Sequence, residues 1–241
     1  MSLLAYYSNL VAVQDRPSLV GTLARWSVVD YLPDAQGVWA ASEGTRVLEP
    51  AGSNFSLAST TLLSGAPAVQ FTGADRWRLR GGLDLSAASS LAYILVFEAP
   101  TGNTQVLLEH SANYDQTLGR FICFLQGYIL PLFHLSTGEY HYQQNDFAEN
   151  TPYVLGYRLN PALAIEQGRA LSLTRNSEFP SLSTRTTGPG PQFGTDALYV
   201  GGRGGSALPF VGKLSALHLF REEPDPYLFQ QWLSYYAQRY L

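Results

Sequence analysis

The sequence is poor in cysteine and in charge of either sign. Cys123 is the only cysteine among 241 residues, so an intramolecular disulfide framework is excluded. Its neighbours in residues 120–125 are largely apolar, which predicts a buried thiol and not a reactive one. Charged residues make up 14% of the chain, whereas about 25% is usual. The formal net charge of −4 argues against broad electrostatic binding to nucleic acid or to anionic membranes.

Long apolar runs are also missing. No stretch approaches the roughly 18 consecutive apolar residues of a membrane-spanning helix, so membrane insertion is not expected. Residues 1–10 contain neither a basic leader nor a small-residue cleavage site, and a secretory signal is therefore not predicted. We expect a protein that is made in a cytoplasm and is not exported by the general secretory route.

The chain does contain many short segments in which apolar residues recur at every second position. Residues 91–97 are continuously apolar, as in a strand buried on both faces, and residues 170–175 alternate. Further predicted strands are 68–71, 77–80, 105–110, 120–126, 128–134, 140–143, 153–159, 198–201 and 213–220. Turn-forming residues separate these segments, and the chain contains 22 glycines and 14 prolines. The pattern predicts an all-β antiparallel sandwich, formed by residues 1–241 as one domain.

The C-terminus departs from this pattern and predicts a helix at about residues 225–239. Asp225 is a typical N-cap residue, and Pro226 suits the first helical turn. Leu228, Trp232 and Tyr236 recur every four residues, which produces one apolar stripe. We expect this stripe to pack against the sandwich, and a partner-binding helix is the alternative.

The glycine-rich residues 201–215 resemble a nucleotide-binding loop at first sight. Gly202, Gly204 and Ala207 match a G-x-G-x-x-A pattern behind a predicted strand. However, Pro209 and a β-like segment follow where a nucleotide-binding loop needs a helix, and without a helix N-terminus a phosphate lacks its aligned amides. We therefore interpret these glycines as a bend between two strands.

The order of segments around this bend resembles the concanavalin A-like lectin/glucanase superfamily, in its laminin-G-like branch. The resemblance rests on residues 198–202, 210–212 and 214–220 followed by the helix, and on residues 65–79 with 83–86 in the first half. Trp39 with Ser42 and Gly44, and an opening strand at residues 4–7, also come in family order. The resemblance implies a jelly-roll sandwich of two antiparallel sheets with a short C-terminal helix, and it does not fix a function.

No catalytic or metal-binding signature is found. Hydrolases of this superfamily carry Glu-x-Asp-x-x-Glu on a strand, and the closest match, at Glu223 and Asp225, lacks the third acid and lies between prolines. The four histidines are scattered, and no cofactor is predicted. Calcium binding, known in branches of the group, stays open, with the pairs Asp30/Asp34 and Asp75/Asp84 as weak candidates.

Residues 137–147 are the best candidate for a carbohydrate site. They interleave flat tyrosine rings with amide and carboxylate groups, and a polar loop at residues 111–117 is a second contributor. Sugars are held by aromatic faces against their C–H patches and by polar groups at their hydroxyls. The candidate residues are Tyr140, Tyr142, Gln143, Asn145, Asp146, Tyr114 and Asp115. The alternative for this segment is the polar solvent face of a hairpin.

These observations favour a non-catalytic, lectin-like protein. Stand-alone domains of the resembled kind are frequent in phage genomes, so the resemblance implies a bacteriophage virion protein, such as a tail appendage, a receptor-contacting component or a capsid-surface decoration. Its expected partners are other virion proteins and host-surface glycans, with a homo-oligomer as an option. The alternatives are a cellular or secreted glycan-binding module and, third, a glycoside hydrolase with a non-standard site.

Overall fold

The computed structural model describes residues 16–53, 55–100, 104–111, 118–136, 139–142, 145–146, 148–159, 169–174, 177–178, 192–204 and 208–241. These residues form two large antiparallel sheets, here called sheet A and sheet B, with one α-helix near the C-terminus. A small two-stranded ladder joins β7 (Leu83–Asp84) to β17 (Thr195–Asp196). The predicted jelly-roll sandwich with a short C-terminal helix is confirmed.

Sheet A contains β1 (Thr22–Ser27), which pairs with the second half of the long strand β19 (Val211–Phe220). The remaining spatial order is β16 (Ser177–Glu178), β15 (Arg169–Thr174), β14 (Tyr153–Leu159), β8 (Leu91–Glu98), β19 (Val211–Phe220), β5 (Pro67–Thr72) and β4 (Ala58–Thr61).

Sheet B has two short strands at one edge, β12 (Glu139–Tyr142) and β13 (Asn145–Asp146). Both pair with β11 (Tyr128–Ser136). Its spatial order is β12 (Glu139–Tyr142), β11 (Tyr128–Ser136), β10 (Phe121–Leu125), β9 (Gln105–His110), β18 (Leu198–Val200), β6 (Trp77–Leu79), β3 (Val47–Pro50) and β2 (Trp39–Ala40).

Most predicted strands are present with bounds that agree within a few residues. The prediction missed β1, β3 and β4 and the two-residue strands β2, β7, β13, β16 and β17. Strand β4 reads Ala-Ser-Thr-Thr and lies at the exposed edge of sheet A, so it carries no apolar alternation. The strand predicted at residues 4–7 lies outside the described residues.

The main core lies between the two sheets. Strand β8 is buried along its whole length because its residues alternate between this core and a second apolar layer outside sheet A. All four tryptophans are fully buried, and their indole nitrogens donate hydrogen bonds to backbone carbonyls. Trp77, for example, donates to the Gly37 carbonyl oxygen at 2.7 Å, so it is a packing residue of the core.

The helix α1 (Pro226–Tyr240) forms the second apolar layer by covering the outer face of sheet A. The Asp225 side chain accepts hydrogen bonds from the first-turn amides of Tyr227 and Leu228, which confirms the predicted cap. Gly156 on β14 lets the helix approach the sheet closely. A Cβ at that position would lie 2.6 Å from Leu233 and 2.8 Å from Phe229.

The glycine-rich stretch carries the chain from one sheet to the other. Strand β18 belongs to sheet B and β19 belongs to sheet A, and both pair only in antiparallel fashion with their described neighbours. Gly201, at the start of the crossover, has φ +82° and lies against the Phe71 ring, where a side chain would overlap it. The nucleotide-loop interpretation is therefore excluded, and the predicted bend is confirmed.

Candidate functional site

The predicted carbohydrate residues map to one edge of sheet B. In the backbone register Tyr140 lies opposite His134 and Tyr142 lies opposite Leu132, on β12. Asn145 and Asp146 lie on β13, which pairs with the beginning of β11. Strands β12 and β13 thus continue each other along β11, and four of the seven predicted residues share one sheet edge.

The other three predicted residues, Gln143, Tyr114 and Asp115, lie outside the described residues. The strands on either side of residues 112–117 are placed, however. Strand β9 ends at His110 and β10 begins at Phe121, which pairs with Phe133 of β11. Strand β11 ends at Ser136, beyond Phe133, so the β9–β10 connection and the β11–β12 turn leave the same end of sheet B.

The register also assigns these positions to a face. Phe133 is fully buried in the core between the sheets, and His141 is its partner on β12. Because faces alternate along a strand, positions 140 and 142 belong with Leu132 to the outer face of sheet B.

Apolar side chains extend from this edge across the outer face of sheet B. Val106 and Ile122 are fully buried there. Phe124, Leu132 and Leu208 are partly buried and pack against them. Among the described residues no helix lies over this cluster, in contrast to the outer face of sheet A.

Farther across the same face, a buried carboxylate ties down the start of the glycine-rich crossover. Glu109 is 1% exposed and accepts a hydrogen bond from the Gly204 amide at 2.7 Å. The Arg203 guanidinium lies 3.3 Å from Glu109, and the Ser111 hydroxyl donates to it at 2.9 Å. Glu109 is therefore a structural anchor for the start of the crossover.

The other acids considered for catalysis are likewise paired. Glu98 accepts from the Lys213 ammonium at 2.6 Å. Glu223 forms an ion pair with Arg158 at 3.1 Å, and its backbone amide donates to the Ser90 hydroxyl. Arg158 reaches this turn from β14, so Glu223 is a paired residue of the turn before the helix.

The four aspartates considered for calcium hold turns and ion pairs. Asp30 pairs with Arg25 at 2.7 Å, and Asp34 accepts two backbone amides of its own turn. Asp75 uses both carboxylate oxygens in hydrogen bonds to protein donors, and Asp84 caps the turn at Ser86. Within the described ranges no three metal-ligating side chains cluster.

Burial suppresses the reactivity of the cysteine and of two histidines. It raises the pKa of Cys123 to about 12, so the thiol is not ionised near neutral pH. Burial also lowers the pKa of His110 to about 4, and it lowers that of His218 well below its ordinary value. His110 bonds to the Leu83 carbonyl and His218 to the Thr22 hydroxyl, so both act as neutral hydrogen-bonding groups in the interior.

The fold has counterparts among solved structures. The receptor-binding domain of botulinum neurotoxin mosaic serotype C/D matches with a TM-score of 0.61 and 8% identity, over 90% of this chain and 51% of that chain. The binding domain of serotype D matches with a TM-score of 0.61 and 9% identity, over 90% and 52%. A Trypanosoma rangeli sialidase mutant with trans-sialidase activity matches with a TM-score of 0.56 and 10% identity, over 91% of this chain and 34% of that chain.

The likeness shows the fold alone. The chain spans about half the length of the neurotoxin binding domains and a third of the sialidase. No protein-family model matches the sequence, and no curated protein does. Among the residues that the structure describes, no helix combines the length and apolar character needed to cross a membrane.

A cavity that no sequence pattern predicted lies at the other end of the sandwich. Its volume is about 320 Å³, and it lies where the β5–β6 and β18–β19 connections pass between the sheets. Phe55 forms part of its wall. No periodic pattern or motif surrounds Phe55 in the sequence, so only the short Gly52-Ser53 stretch before it could have indicated a loop there.

Proposed function

We propose that this chain is a non-catalytic, lectin-like binding module whose glycan site lies on the outer edge of sheet B. The site comprises Tyr140, Tyr142, Gln143, Asn145 and Asp146, with Tyr114 and Asp115 on the neighbouring connection. Aromatic rings stack on the C–H face of a sugar, and amides and carboxylates take its hydroxyls.

The observation that carries this proposal is the difference between the two outer faces. Helix α1 covers the outer face of sheet A, whereas among the described residues no helix covers the small apolar cluster around Ile122 on the outer face of sheet B. All four tryptophans are buried, so the tyrosine-rich edge is the better candidate for an aromatic platform. The neurotoxin domains of similar fold are described as receptor-binding, which supports a binding role.

The ion pairs support the absence of hydrolysis. Paired carboxyl groups about 5–10 Å apart, one of them able to give a proton, are the usual apparatus of glycoside hydrolysis. Glu98 and Glu109 are buried and tied to Lys213 and Arg203, so neither is available as a general acid.

The biological setting of the proposal is a bacteriophage virion, with this chain as one domain of a tail appendage or a capsid-surface component. Its support is the resemblance of the sequence to laminin-G-like domains of phage. In that setting its partners are other virion proteins and host-surface glycans. Mass spectrometry of purified particles tests this setting, and absence of the protein from the particles overturns it.

Glycan binding is tested on an array with the wild-type chain and with Tyr140→Ala and Tyr142→Ala. We expect each substitution to weaken binding by roughly tenfold, because each removes a stacking surface. The matched control is Tyr31→Ala, since Tyr31 is 59% exposed and lies far from β12 in the sequence. Unchanged binding in both variants, with circular dichroism like that of the wild type, removes the β12 edge as the platform. Release of reducing sugar from a bound glycan contradicts the non-catalytic assignment.

A further inference from the structure

Two neighbouring cavities lie at the end of the sandwich opposite to the β11–β12 turn. The crossover pocket, of about 320 Å³, is lined by residues that include Gly52, Ser53, Phe55, Arg76, Gly202 and Pro209. The side pocket, of about 210 Å³, is lined by residues that include Asp34, Gln36, Gly37, Phe55, Ser56 and Ser59. Phe55 belongs to both, so its ring stands between the two cavities.

The Phe55 ring is held in place by rigid neighbours. Its centroid lies 5.4 Å from that of Trp77, which is fully buried. On another side the ring lies against the Gly37 backbone, where a side chain would overlap it, and the Gly37 carbonyl is bound by the Trp77 indole. An aromatic wall that is already fixed loses little conformational entropy when a ligand stacks on it.

The floor of the crossover pocket is equally fixed, and it carries no free negative charge. Asp75 is 1% exposed. Its Oδ1 accepts the Ser56 amide at 2.7 Å, and its Oδ2 accepts the Thr72 hydroxyl at 2.6 Å and the Thr72 amide at 3.0 Å. The buried carboxylate therefore joins the loop before β4 to the end of β5, and both of its oxygens accept hydrogen bonds from the protein.

The remaining lining is small, polar and mostly uncharged. Ser53, Gln36 and Ser59 contribute hydroxyl and amide groups, and glycines expose backbone along the walls. Arg76 also lines the crossover pocket, and a Cβ at Gly202 would lie 3.8 Å from its Cβ and Cδ. One flat aromatic ring among mostly neutral hydrogen-bonding groups suits the C–H face and the hydroxyls of a sugar ring.

We propose that the crossover pocket and the side pocket together form a second site, which binds an uncharged saccharide with one sugar ring in each cavity. The crossover pocket alone has the volume of a small ligand site, which starts at about 300 Å³. This site goes beyond the proposed function, because it shares no residue with the β12 edge.

The test is titration calorimetry with the uncharged disaccharides cellobiose, maltose, lactose and chitobiose at millimolar concentration. Gly52→Tyr fills the mouth of the crossover pocket, and a Cβ at Gly52 meets no atom within 4 Å, so the fold tolerates it. Phe55→Leu removes the ring and keeps an apolar contact with Trp77. We expect at least one disaccharide to bind the wild type, and both variants to bind it roughly tenfold more weakly.

The matched control is Ala87→Tyr, which adds the same ring on an exposed turn after β7. It should bind like the wild type. The proposal is overturned if no disaccharide binds, if Gly52→Tyr binds as well as the control, or if only the anionic probe 3′-sialyllactose binds. Binding that is lost in Tyr140→Ala but kept in Gly52→Tyr overturns this second site while it supports the β12 edge, so the two proposals fail separately.

Discussion

The outer faces of the two sheets differ in what covers them. On sheet A, residues Ile94, Val96 and Val154 lie beneath the helix residues Trp232 and Leu233, and the whole layer is buried. On sheet B, the buried Val106 and Ile122 are packed against partly buried side chains, and none of these described neighbours belongs to a helix. The outer layer of sheet A is thus a second core, and that of sheet B is a thin surface cluster.

Because of this difference, the buried outer layer that stabilises the fold and the residues proposed for binding lie on different sheets. A helix that packs on a sheet stabilises it, but it also removes that face from any partner. In the described part of the chain no helix covers the outer face of sheet B, and the polar and aromatic residues proposed for binding lie at its edge. Substitutions should therefore be costly for folding on sheet A and inexpensive on sheet B.

The largest effect is expected from Trp232→Ala. Trp232 is fully buried between the helix and sheet A, with its ring 4.5 Å from that of His218. Its truncation should lower the free energy of unfolding by about 3–5 kcal/mol, as for other buried aromatic residues. The control is Tyr227→Ala on the same helix, where Tyr227 is 66% exposed and a change within about 0.5 kcal/mol is expected. Urea unfolding measures both, and a loss of less than about 1 kcal/mol in Trp232→Ala would show that the helix is not a core element.

The second effect is a loss of stability in acid. His110 and His218 are neutral in the folded protein because burial lowers their pKa, to about 4 for His110 and lower still for His218. In the unfolded chain they bind a proton below a pKa of 6.5, so their contribution is complete above this pH and declines as the pH falls through this value. The decline should be about 1.4 kcal/mol per pH unit for each histidine, and for His110 it ends near pH 4.

Unfolding experiments at a series of pH values measure this slope. The variant His218→Phe removes the titrating group beneath the helix, and its slope should be smaller by about one proton. Thr22, Tyr236 and Arg25 surround His218, and none of them titrates in this range in the folded state. An unchanged slope would mean that His218 is protonated in the native protein.

The smallest effect is expected on sheet B. Leu132 is only partly buried in the outer cluster, so Leu132→Ala should lower the free energy of unfolding by about 1 kcal/mol. Leu233→Ala, beneath the helix on sheet A, makes the same chemical change in a fully buried position and should lower it by about 3 kcal/mol. Equal losses in the two variants would contradict the difference between the faces.

Several features of the fold were predictable because they depend on local pattern. The continuous apolar run of β8 indicated burial on both faces, and the four-residue spacing of Leu228, Trp232 and Tyr236 indicated a packed helix. The edge strand β4 was not predictable, since its exposed serine and threonines carry no apolar signal. The pairing of Glu109 with Arg203 was not predictable either, because it joins residues 94 positions apart.

The sequence by itself determined the class of the fold, the helix with its Asp225 cap and the role of the late glycines as a bend. These follow from backbone preferences and side-chain periodicity, which act between near neighbours along the chain. Only the tertiary structure decided which outer face is covered and where Phe55 stands. Both depend on contacts between strands that are distant in sequence, such as the meeting of residues 37, 55 and 77 at one end of the sandwich.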